Sequence, residues 1–233
     1  MTKKTVVITG VSRGLGKELA LEFSKNGWNV AGCYKTNMPE YEIPNSKFFQ
    51  TDISKPDAVS FFIKEAVCAF GKIDCLINNA AIGKNKIIFK EDFNNWNEVI
   101  QTNLNGAFYV IKETLDAMAK QKDGIIINIS SISAYKSYLG AASYSASKAA
   151  LIALTKTAAR EGGRFNARVN AVLPGFHNTR LGESAGDKYI AGIKAESVLN
   201  ATTDLSDFLK FMIYLANTKT ISGQIFNIDS RII

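Results

Sequence analysis

The chain has 233 residues, of which 46% are hydrophobic and 21% charged, as in an ordinary globular protein. Its formal net charge is +7, and the lysines and arginines are scattered along the chain instead of forming a block. This distribution favours a basic surface that handles phosphorylated or acidic ligands over a nucleic-acid-binding tail, and no nucleic-acid-binding motif is present.

Cysteine usage and hydropathy point to the cytoplasm. Cys33, Cys68 and Cys75 are odd in number and form no C-x-x-C pair, which is typical of reduced thiols in a cytosolic protein. The apolar run at 5–9 is too short for a signal peptide, and no stretch is apolar enough to cross a membrane. We expect a cytoplasmic protein with one domain over 1–233, and no metal, membrane or nucleic-acid partner.

Short β-branched runs alternate with longer helical patterns, which predicts a parallel sheet covered by helices. The predicted strands are 5–9, 29–34, 47–51, 73–78, 124–130, 168–173 and 224–228. The predicted helices are 15–26, 56–70, 97–121, 144–161 and 205–216. The pattern therefore predicts a doubly wound α/β fold, with a seven-stranded, mostly parallel sheet and helices on both faces.

One connection departs from this pattern. Residues 36–46 hold Pro39 and Pro44 and lack helical periodicity, although a parallel crossover usually contains a helix. We expect a loop or a single turn there.

A glycine-rich segment links the first strand to the first helix. It reads Gly10-Val11-Ser12-Arg13-Gly14-Leu15-Gly16. Such glycines can serve only a tight turn, or they can let the backbone approach a pyrophosphate at the helix N-terminus. The order strand, loop, helix near the N-terminus favours a dinucleotide cofactor.

Further motifs follow in a fixed order: Asn78-Asn79-Ala80-Ala81, Thr102-Asn103-Leu104-Asn105-Gly106, Ser130-Ser131, Tyr144-Ser145-Ala146-Ser147-Lys148 and Asn170-Ala171-Val172-Leu173-Pro174-Gly175. With the glycine loop, this series resembles the short-chain dehydrogenase/reductase family over almost the whole chain. It looks closest to the single-domain branch that contains the 3-oxoacyl-(acyl-carrier-protein) reductases. The resemblance implies a Rossmann-type fold and an NADP-dependent oxidoreductase.

Residue by residue, the resemblance implies two groups. The catalytic residues would be Asn103, Ser131, Tyr144 and Lys148. The residues that bind NADP(H) would be Gly10, Ser12, Arg13, Gly14, Leu15, Gly16, Lys35, Asp52, Ile53, Asn79, Tyr144, Lys148 and Thr179.

The chemistry expected of these residues is reduction of a carbonyl. Tyr144 and Lys148 lie four residues apart and share one face of a helix, so the ammonium should lower the pKa of the phenol towards neutrality. Ser131 would hydrogen-bond the substrate oxygen, and Asn103 would hold a water that relays protons to the lysine.

Structural alternatives stay open for several residues. Ser131 could merely cap a strand end, with Ser130 beside it as a false candidate, and Asn103 could only satisfy buried backbone groups. Asp52 could start a turn instead of flanking an adenine with Ile53. His177, the only histidine, stands where relatives usually have an apolar residue, and we expect it to contribute mainly backbone.

Two more departures from the family pattern concern packing. Ala81 replaces a usual Gly, and Asp229-Ser230-Arg231 replaces a usual Asp-Gly-Gly. We expect the second replacement to change the packing around residues 229–231.

The second predicted strand favours NADPH over NADH. It ends at Tyr34, the position where NAD-preferring relatives usually carry Asp, and Lys35 follows directly. Arg13 should point toward the same ribose. Two cations without an anion suit a 2′-phosphate.

The substrate is less defined. We predict a carbonyl or alcohol compound as the substrate, with residues 180–200 as a lid. The specific candidate is a 3-oxoacyl thioester on acyl carrier protein. Four basic residues (Lys120, Lys122, Arg160 and Arg164) could steer an acidic carrier or could be a solvated face. By analogy we expect a homo-oligomer, a tetramer or dimer, formed through helices 97–121 and 144–161.

Two other functions are open. A catalytically silent NADP-binding regulatory protein would have the same fold, but such proteins tend to lose the tyrosine, lysine or serine. An epimerase or dehydratase of the longer branch needs a C-terminal substrate domain for which this chain has no room.

Overall fold

The computed structural model describes residues 3–136, 138–177 and 186–233. The strands are β1 (Thr5–Thr9), β2 (Asn29–Tyr34), β3 (Ser46–Gln50), β4 (Cys75–Asn78), β5 (Gly124–Ile129), β6 (Ala167–Leu173) and β7 (Ile225–Asn227). The helices are α1 (Gly14–Lys25), α2 (Pro56–Phe70), α3 (Phe93–Ile100), α4 (Ala107–Gln121), α5 (Ala142–Gly162), α6 (Asp187–Glu196) and α7 (Leu205–Asn217).

The seven strands form one sheet in the order β3-β2-β1-β4-β5-β6-β7, and every neighbouring pair is parallel. The predicted α/β fold with a seven-stranded sheet is therefore confirmed. The chain reverses its direction of travel across the sheet between β1 and β4. Ligands of open α/β sheets bind in the crevice at the carboxyl ends of the strands at such a point.

Alternate residues of each strand face opposite layers of helices. In β1, Val6 and Ile8 join a cluster with Phe23 of α1 and Phe208 of α7, whereas Val7 joins a cluster with Phe62 of α2. The second cluster also contains side chains of α4 and α5. Because both faces are covered, the five inner strands are buried almost throughout, whereas the edge strands β3 and β7 are only partly buried. The carboxyl edge of the sheet is left for a site.

The helical boundaries differ most between β4 and β5. The sequence predicted one helix over 97–121, but α3 begins at Phe93 behind an Asp92 cap, and a π-helical turn, Gln101–Gly106, separates it from α4. Sequence periodicity did not predict α6, which lies inside the expected lid. Of that lid, residues 180–185 lie outside the described residues.

The connection between β2 and β3 is a loop, as expected. It folds back on the glycine segment: the Tyr41 hydroxyl donates to the Val11 carbonyl at 2.8 Å, and Ser12 Oγ donates to the Asn37 carbonyl at 2.5 Å. The Tyr41 ring packs edge-on against Phe48 of β3. The loop therefore covers part of the glycine segment in place of a crossover helix.

The three cysteines are all unpaired. Cys33 and Cys75 are buried in the sheet, and Cys68 is exposed on α2. Burial raises the pKa of the Cys33 thiol to about 12 and raises that of Cys75 further. Within the ranges that the structure describes, no helix is both long and apolar enough to cross a membrane.

Candidate active site

The glycine segment makes a tight turn at the carboxyl end of β1. Gly10 and Gly14 have φ angles of +75° and +58°, which glycine adopts without strain. A Cβ on Gly16 would lie 2.0 Å from the Gly10 carbonyl oxygen, so no larger residue fits there. The turn brings the Ser12 to Leu15 backbone to the N-terminus of α1, where amide groups attract a phosphate.

Asn79 holds this turn from the neighbouring strand. Its Nδ2 donates to the carbonyls of Thr9 and Gly10 at 2.9 and 3.2 Å. Thr9 Oγ1 in turn accepts from the amides of Asn79 and Ala80, both at 3.0 Å. The sequence predicted a contact of Asn79 with ribose; the structure adds that its amide group supports the loop.

The cations predicted to meet a 2′-phosphate differ in their surroundings. Arg13 is exposed and pairs with no carboxylate in the described part of the chain. Lys35 Nζ lies 3.0 Å from a carboxylate oxygen of Asp52. The prediction of two cations without an anion is therefore wrong at Lys35, since the parallel pairing of β2 and β3 brings residues after these strands together.

Asp52 also starts a turn. Its Oδ1 accepts from the Ser54 amide at 3.0 Å and the Ser54 hydroxyl at 2.7 Å. Burial opposes ionisation, but these bonds and Lys35 hold the pKa of Asp52 below its ordinary value. The adjacent Ile53 is buried against Gly106, where a Cβ would lie 3.0 Å from the Ile53 carbonyl oxygen.

Tyr144 and Lys148 lie one turn apart on α5, beside the end of β5. Lys148 Nζ is 5.6 Å from the centre of the Tyr144 ring and donates to the Ile129 carbonyl at 2.7 Å. The side chain of Ser131, two residues after Ile129, lies near enough to the Tyr144 hydroxyl to lower its pKa. The structure thus brings Ser131, Tyr144 and Lys148 together.

The surroundings of this cluster decide its protonation. Burial lowers the pKa of Lys148 to about 8. Burial also raises the pKa of Tyr144, and the nearby Ser131 side chain only partly offsets this. The predicted drop in the tyrosine pKa is wrong for this structure, because the ammonium bonds a carbonyl and burial disfavours tyrosinate.

The two serines after β5 have different partners. Ser130 is buried, and its hydroxyl donates to the Lys148 carbonyl at 3.0 Å, which anchors α5. Ser131 is half-buried and caps a short 3-10 helix by accepting from the Ser133 amide at 3.1 Å. Ser131 therefore has the capping contact of the structural alternative as well as its position beside Tyr144.

Asn103 lies in the π-helical turn and is buried. Its Oδ1 accepts from the Ile82 amide and its Nδ2 donates to the Ile82 carbonyl, both at 2.9 Å. A further bond of 3.2 Å joins Nδ2 to Ser147 Oγ on α5. The side chain satisfies buried backbone, as the structural alternative holds, and so fixes the segment after β4 beside the Tyr144 helix.

His177 is engaged within its own loop. Its Nε2 lies 2.7 Å from the Pro174 carbonyl oxygen, and its ring centre is 5.4 Å from that of Phe208. Burial lowers its pKa, so the ring is neutral at physiological pH. Thr179, the predicted partner of the nicotinamide amide, lies outside the described residues.

Two features near Tyr144 escaped sequence reasoning. Tyr189 on α6 lies near enough to Tyr144 to contribute to the raised pKa of the Tyr144 phenol. Asp229 and Arg231 form a buried ion pair whose guanidinium contacts the Tyr138 hydroxyl. The only sequence feature that pointed to this ion pair was the departure from Asp-Gly-Gly, and it does not indicate which residues the pair contacts.

The four basic residues proposed to steer a carrier lie at the other edge of the sheet. Lys120 and Lys122 precede the start of β5, and Arg160 and Arg164 precede the start of β6. Because the strands are parallel, this is the edge opposite Ser131 and Tyr144. A carrier on this face would not be steered toward the site of the same chain.

Residues 4–190 match the family described as short chain dehydrogenase. The chain belongs to this family. This match confirms the sequence-based resemblance and the prediction of an oxidoreductase. No cluster of His, Cys, Asp and Glu suited to a metal ion occurs in the part of the chain described above.

Curated relatives align over nearly the whole chain. It is 34% identical to a 3-oxoacyl-(acyl-carrier-protein) reductase of Staphylococcus epidermidis, with 97% of each chain covered. It is 31% identical to an acetoacetyl-CoA reductase of an Acinetobacter species, covering 92% of this chain and 91% of that protein.

Two solved structures share the fold. ElxO with NADP bound has a TM-score of 0.89 and 31% identity, and a Tyr-to-Phe variant of ElxO with NADPH bound has a TM-score of 0.89 and 30% identity. In both comparisons 98% of each chain is covered. The Rossmann-type fold is confirmed.

Proposed function

We propose that this chain is an NADP(H)-dependent oxidoreductase that interconverts a carbonyl compound and its alcohol, with Tyr144 as the acid and base. The observation that carries the proposal is the convergence of Ser131, Tyr144 and Lys148 at the carboxyl edge of the sheet, where the glycine segment also lies. This convergence supports a proton transfer beside a dinucleotide site.

The residues present fit such a cofactor. Ser12, Gly14 and Leu15 are partly exposed at the N-terminus of α1, and Arg13 is an exposed cation beside them. The backbone of Gly10, Ser12, Gly14, Leu15 and Gly16 would hold the pyrophosphate, and Arg13 and Lys35 the 2′-phosphate. Ile53 would flank the adenine with Asp52, and Asn79 would lie near the ribose. When bound, NADPH supplies the hydride.

The protein side of the reaction is a proton transfer. Ser131 donates a hydrogen bond to the carbonyl oxygen and polarises it. As the carbonyl carbon gains a hydride, its oxygen takes the proton from the Tyr144 hydroxyl, and the alcohol forms. The buried ammonium of Lys148 stabilises the tyrosinate until solvent returns a proton. Asn103 acts by fixing the Ile82 backbone at the edge of the site.

Arg13 and Lys35 would hold the 2′-phosphate of NADP(H), where charge-assisted hydrogen bonds are worth about 1.5–3 kcal/mol. The pairing of Lys35 with Asp52 would lessen the contribution of Lys35. Initial rates with both cofactors should give kcat/KM at least about tenfold higher for NADPH. Lys35→Asp should shift the preference toward NADH, and equal rates for the wild type would refute the assignment.

The substrate is a 3-oxoacyl thioester. One curated relative is named for a substrate on acyl carrier protein and another for a substrate on CoA. Both names denote acyl thioesters, which supports this substrate class. Purified protein should consume NADPH with acetoacetyl-CoA and with acetoacetyl-acyl carrier protein. Activity on steroid, sugar or quinone carbonyls without activity on either thioester would reject this substrate class.

The domain organisation, location and assembly of the chain are part of the same proposal. The chain 1–233 acts as one domain in the cytoplasm and assembles as a homo-oligomer through α4 and α5. Phe108 on α4, 45% exposed, is a large apolar side chain that such an interface would cover. Sedimentation velocity distinguishes monomer from dimer and tetramer.

The silent alternative predicts NADPH binding without turnover. The presence of Ser131, Tyr144 and Lys148 together at the end of β5 argues against it. NADPH that binds but is not consumed with any activated ketone would favour it.

A further inference from the structure

A buried ion pair closes the C-terminal part of the fold. The side chains of Asp229 and Arg231 are 3% and 4% exposed. Arg231 Nε donates to Asp229 Oδ2 at 2.8 Å, Nη2 donates to the same oxygen, and the Arg231 amide donates to Oδ1 at 2.9 Å. Asn227 Nδ2 donates to the Arg231 carbonyl at 2.9 Å. We call Asp229 and Arg231 the C-terminal clamp.

The clamp touches two segments that border the candidate active site. Arg231 Nη1 donates to the Tyr138 hydroxyl at 3.4 Å, and Tyr138 lies in the segment between Ser131 and Tyr144. On its other side, Asp229 packs against Gly175 after β6, where a Cβ would lie 3.1 Å from Asp229 Oδ2.

The clamp also holds the end of α6. Ser197, which caps this helix, forms an antiparallel bridge with Arg231, and its hydroxyl bonds that of Ser230. The Val198 amide donates to the Ser230 carbonyl at 3.2 Å.

The opposite part of α6 reaches toward the site. Tyr189, in its first turn, places its ring 5.9 Å from that of Phe176, the residue after Gly175. The Tyr189 side chain is half exposed, so it is accessible to a substrate that approaches Tyr144. Helix α6 thus connects the clamp at one end with an accessible phenol near Tyr144 at the other.

We propose that Arg231 is a positioning residue which, through its pairing with Asp229, holds α6 and the Tyr138 segment in place and thereby sets substrate affinity. The inference rests on the proposed function. Arg231 would not meet the substrate itself; its effect would reach the substrate through Tyr189 on α6. The planar guanidinium makes several directed bonds here, so lysine cannot replace it with the same geometry.

Three variants test this: Arg231→Gln, Arg231→Lys, and the double change Asp229→Asn with Arg231→Gln, which leaves no unpaired charge if the single variants fold poorly. Lys210→Gln, on the exposed face of α7, is the matched control for loss of a positive charge. Kinetics with NADPH and acetoacetyl-CoA give KM and kcat separately, fluorescence gives NADPH affinity, and hydrogen exchange reports on the α6 amides.

We expect the KM for the thioester to rise about tenfold or more in every Arg231 variant, since small displacements at an active site cost up to about a hundredfold. NADPH affinity should be unchanged, and exchange in Asp187–Glu196 should become faster. The Arg231→Lys variant should recover part of the affinity. Unchanged KM, or unchanged exchange in α6, in a folded variant would overturn the proposal.

The two proposals fail in different ways. If the wild type consumes no NADPH with any carbonyl, the proposed function is wrong, while hydrogen exchange still tests whether the clamp positions α6. If the wild type is active and the variants match it, only the clamp is wrong.

Discussion

At the scale of single residues, the decisive group is the Tyr144 hydroxyl. Tyr144→Phe removes the proton donor but leaves the ring, so turnover should fall about 10²- to 10⁴-fold while NADPH affinity stays within a factor of about two. NADPH consumption and NADPH fluorescence measure the two quantities. Tyr135→Phe, at an exposed tyrosine, is the control and should behave as wild type. Near-normal turnover of Tyr144→Phe would reject the mechanism.

The buried Lys148 predicts a pH dependence. Its lowered pKa means that the ammonium loses its proton as the pH rises through about 8, instead of near 10.5. The rate of carbonyl reduction should therefore fall above about pH 8, while the phenol of Tyr144, with its raised pKa, is still protonated. Lys148→Arg should move this fall to higher pH, whereas Lys156→Arg on the exposed side of α5 should not. A flat profile through pH 8 in the wild type would contradict the assignment.

Residue types and their order along the chain were readable from the sequence, but hydrogen-bond partners were not. Asn79 and Asn103 were both predicted near the site, and both use their amides to hold backbone of another segment. Lys35 was expected to be free, but its partner Asp52 comes from the end of a different strand. Such pairings depend on the register of the sheet, which a single sequence does not specify.

At the scale of elements, Asn103 links the π-helical turn to the segment after β4. Asn103→Leu keeps the approximate size but leaves the amide and carbonyl of Ile82 without partners, so the free energy of unfolding should fall by about 2–4 kcal/mol. Urea denaturation measures it. Asn97→Ala, at an exposed position of α3, should change it by less than about 0.5 kcal/mol. A similar loss in both variants would show that the Ile82 contacts contribute little.

Elements with strong periodicity or clear end signals were predicted well. The bounds of β1, β2 and α2 agree with the prediction, and α2 has the expected proline in its first turn. The π-helical turn was missed because the residue types over 97–121 favour a helix without distinguishing i→i+5 bonds from i→i+4 bonds. The helix α6 was missed because its glycine and alanine content has little amphipathic pattern, and the residue that caps its end pairs with Arg231, which is distant in sequence.

At the scale of the whole molecule, Asp123 ties three parts of the sheet at the amino edge. Its carboxylate pairs with Arg168 of β6 at 2.7 Å and with Lys219, before β7, at 3.0 Å. Asp123→Ala leaves the buried Arg168 guanidinium without its carboxylate, and unfolding free energy should fall by roughly 1–2 kcal/mol, a value reduced by the 41% exposure of Asp123. Asp116→Ala, an exposed aspartate of α4, is the control.

The same carboxylate predicts the response to acid. Burial opposes ionisation of Asp123, but bonds from Arg168 and Lys219 hold its pKa below 3.8. A lowered pKa means that its stabilisation is present above the unfolded value and is lost as the pH falls through the folded one. Lowering the pH should therefore reduce the free energy of unfolding of the wild type more than that of Asp123→Ala. Urea denaturation at several acidic pH values measures both. An equal loss in the two proteins would reject this.

The distribution of the three thiols makes the chain suitable for single-site labelling. Cys33 and Cys75 are inaccessible and resist deprotonation, so a maleimide dye should attach to Cys68 alone, with no cysteine to be removed. Cys68 lies near the C-terminal end of α2, which leads to the start of β4, at the edge of the sheet away from Tyr144. A dye there can report association between chains by energy transfer without disturbing the reaction that it accompanies.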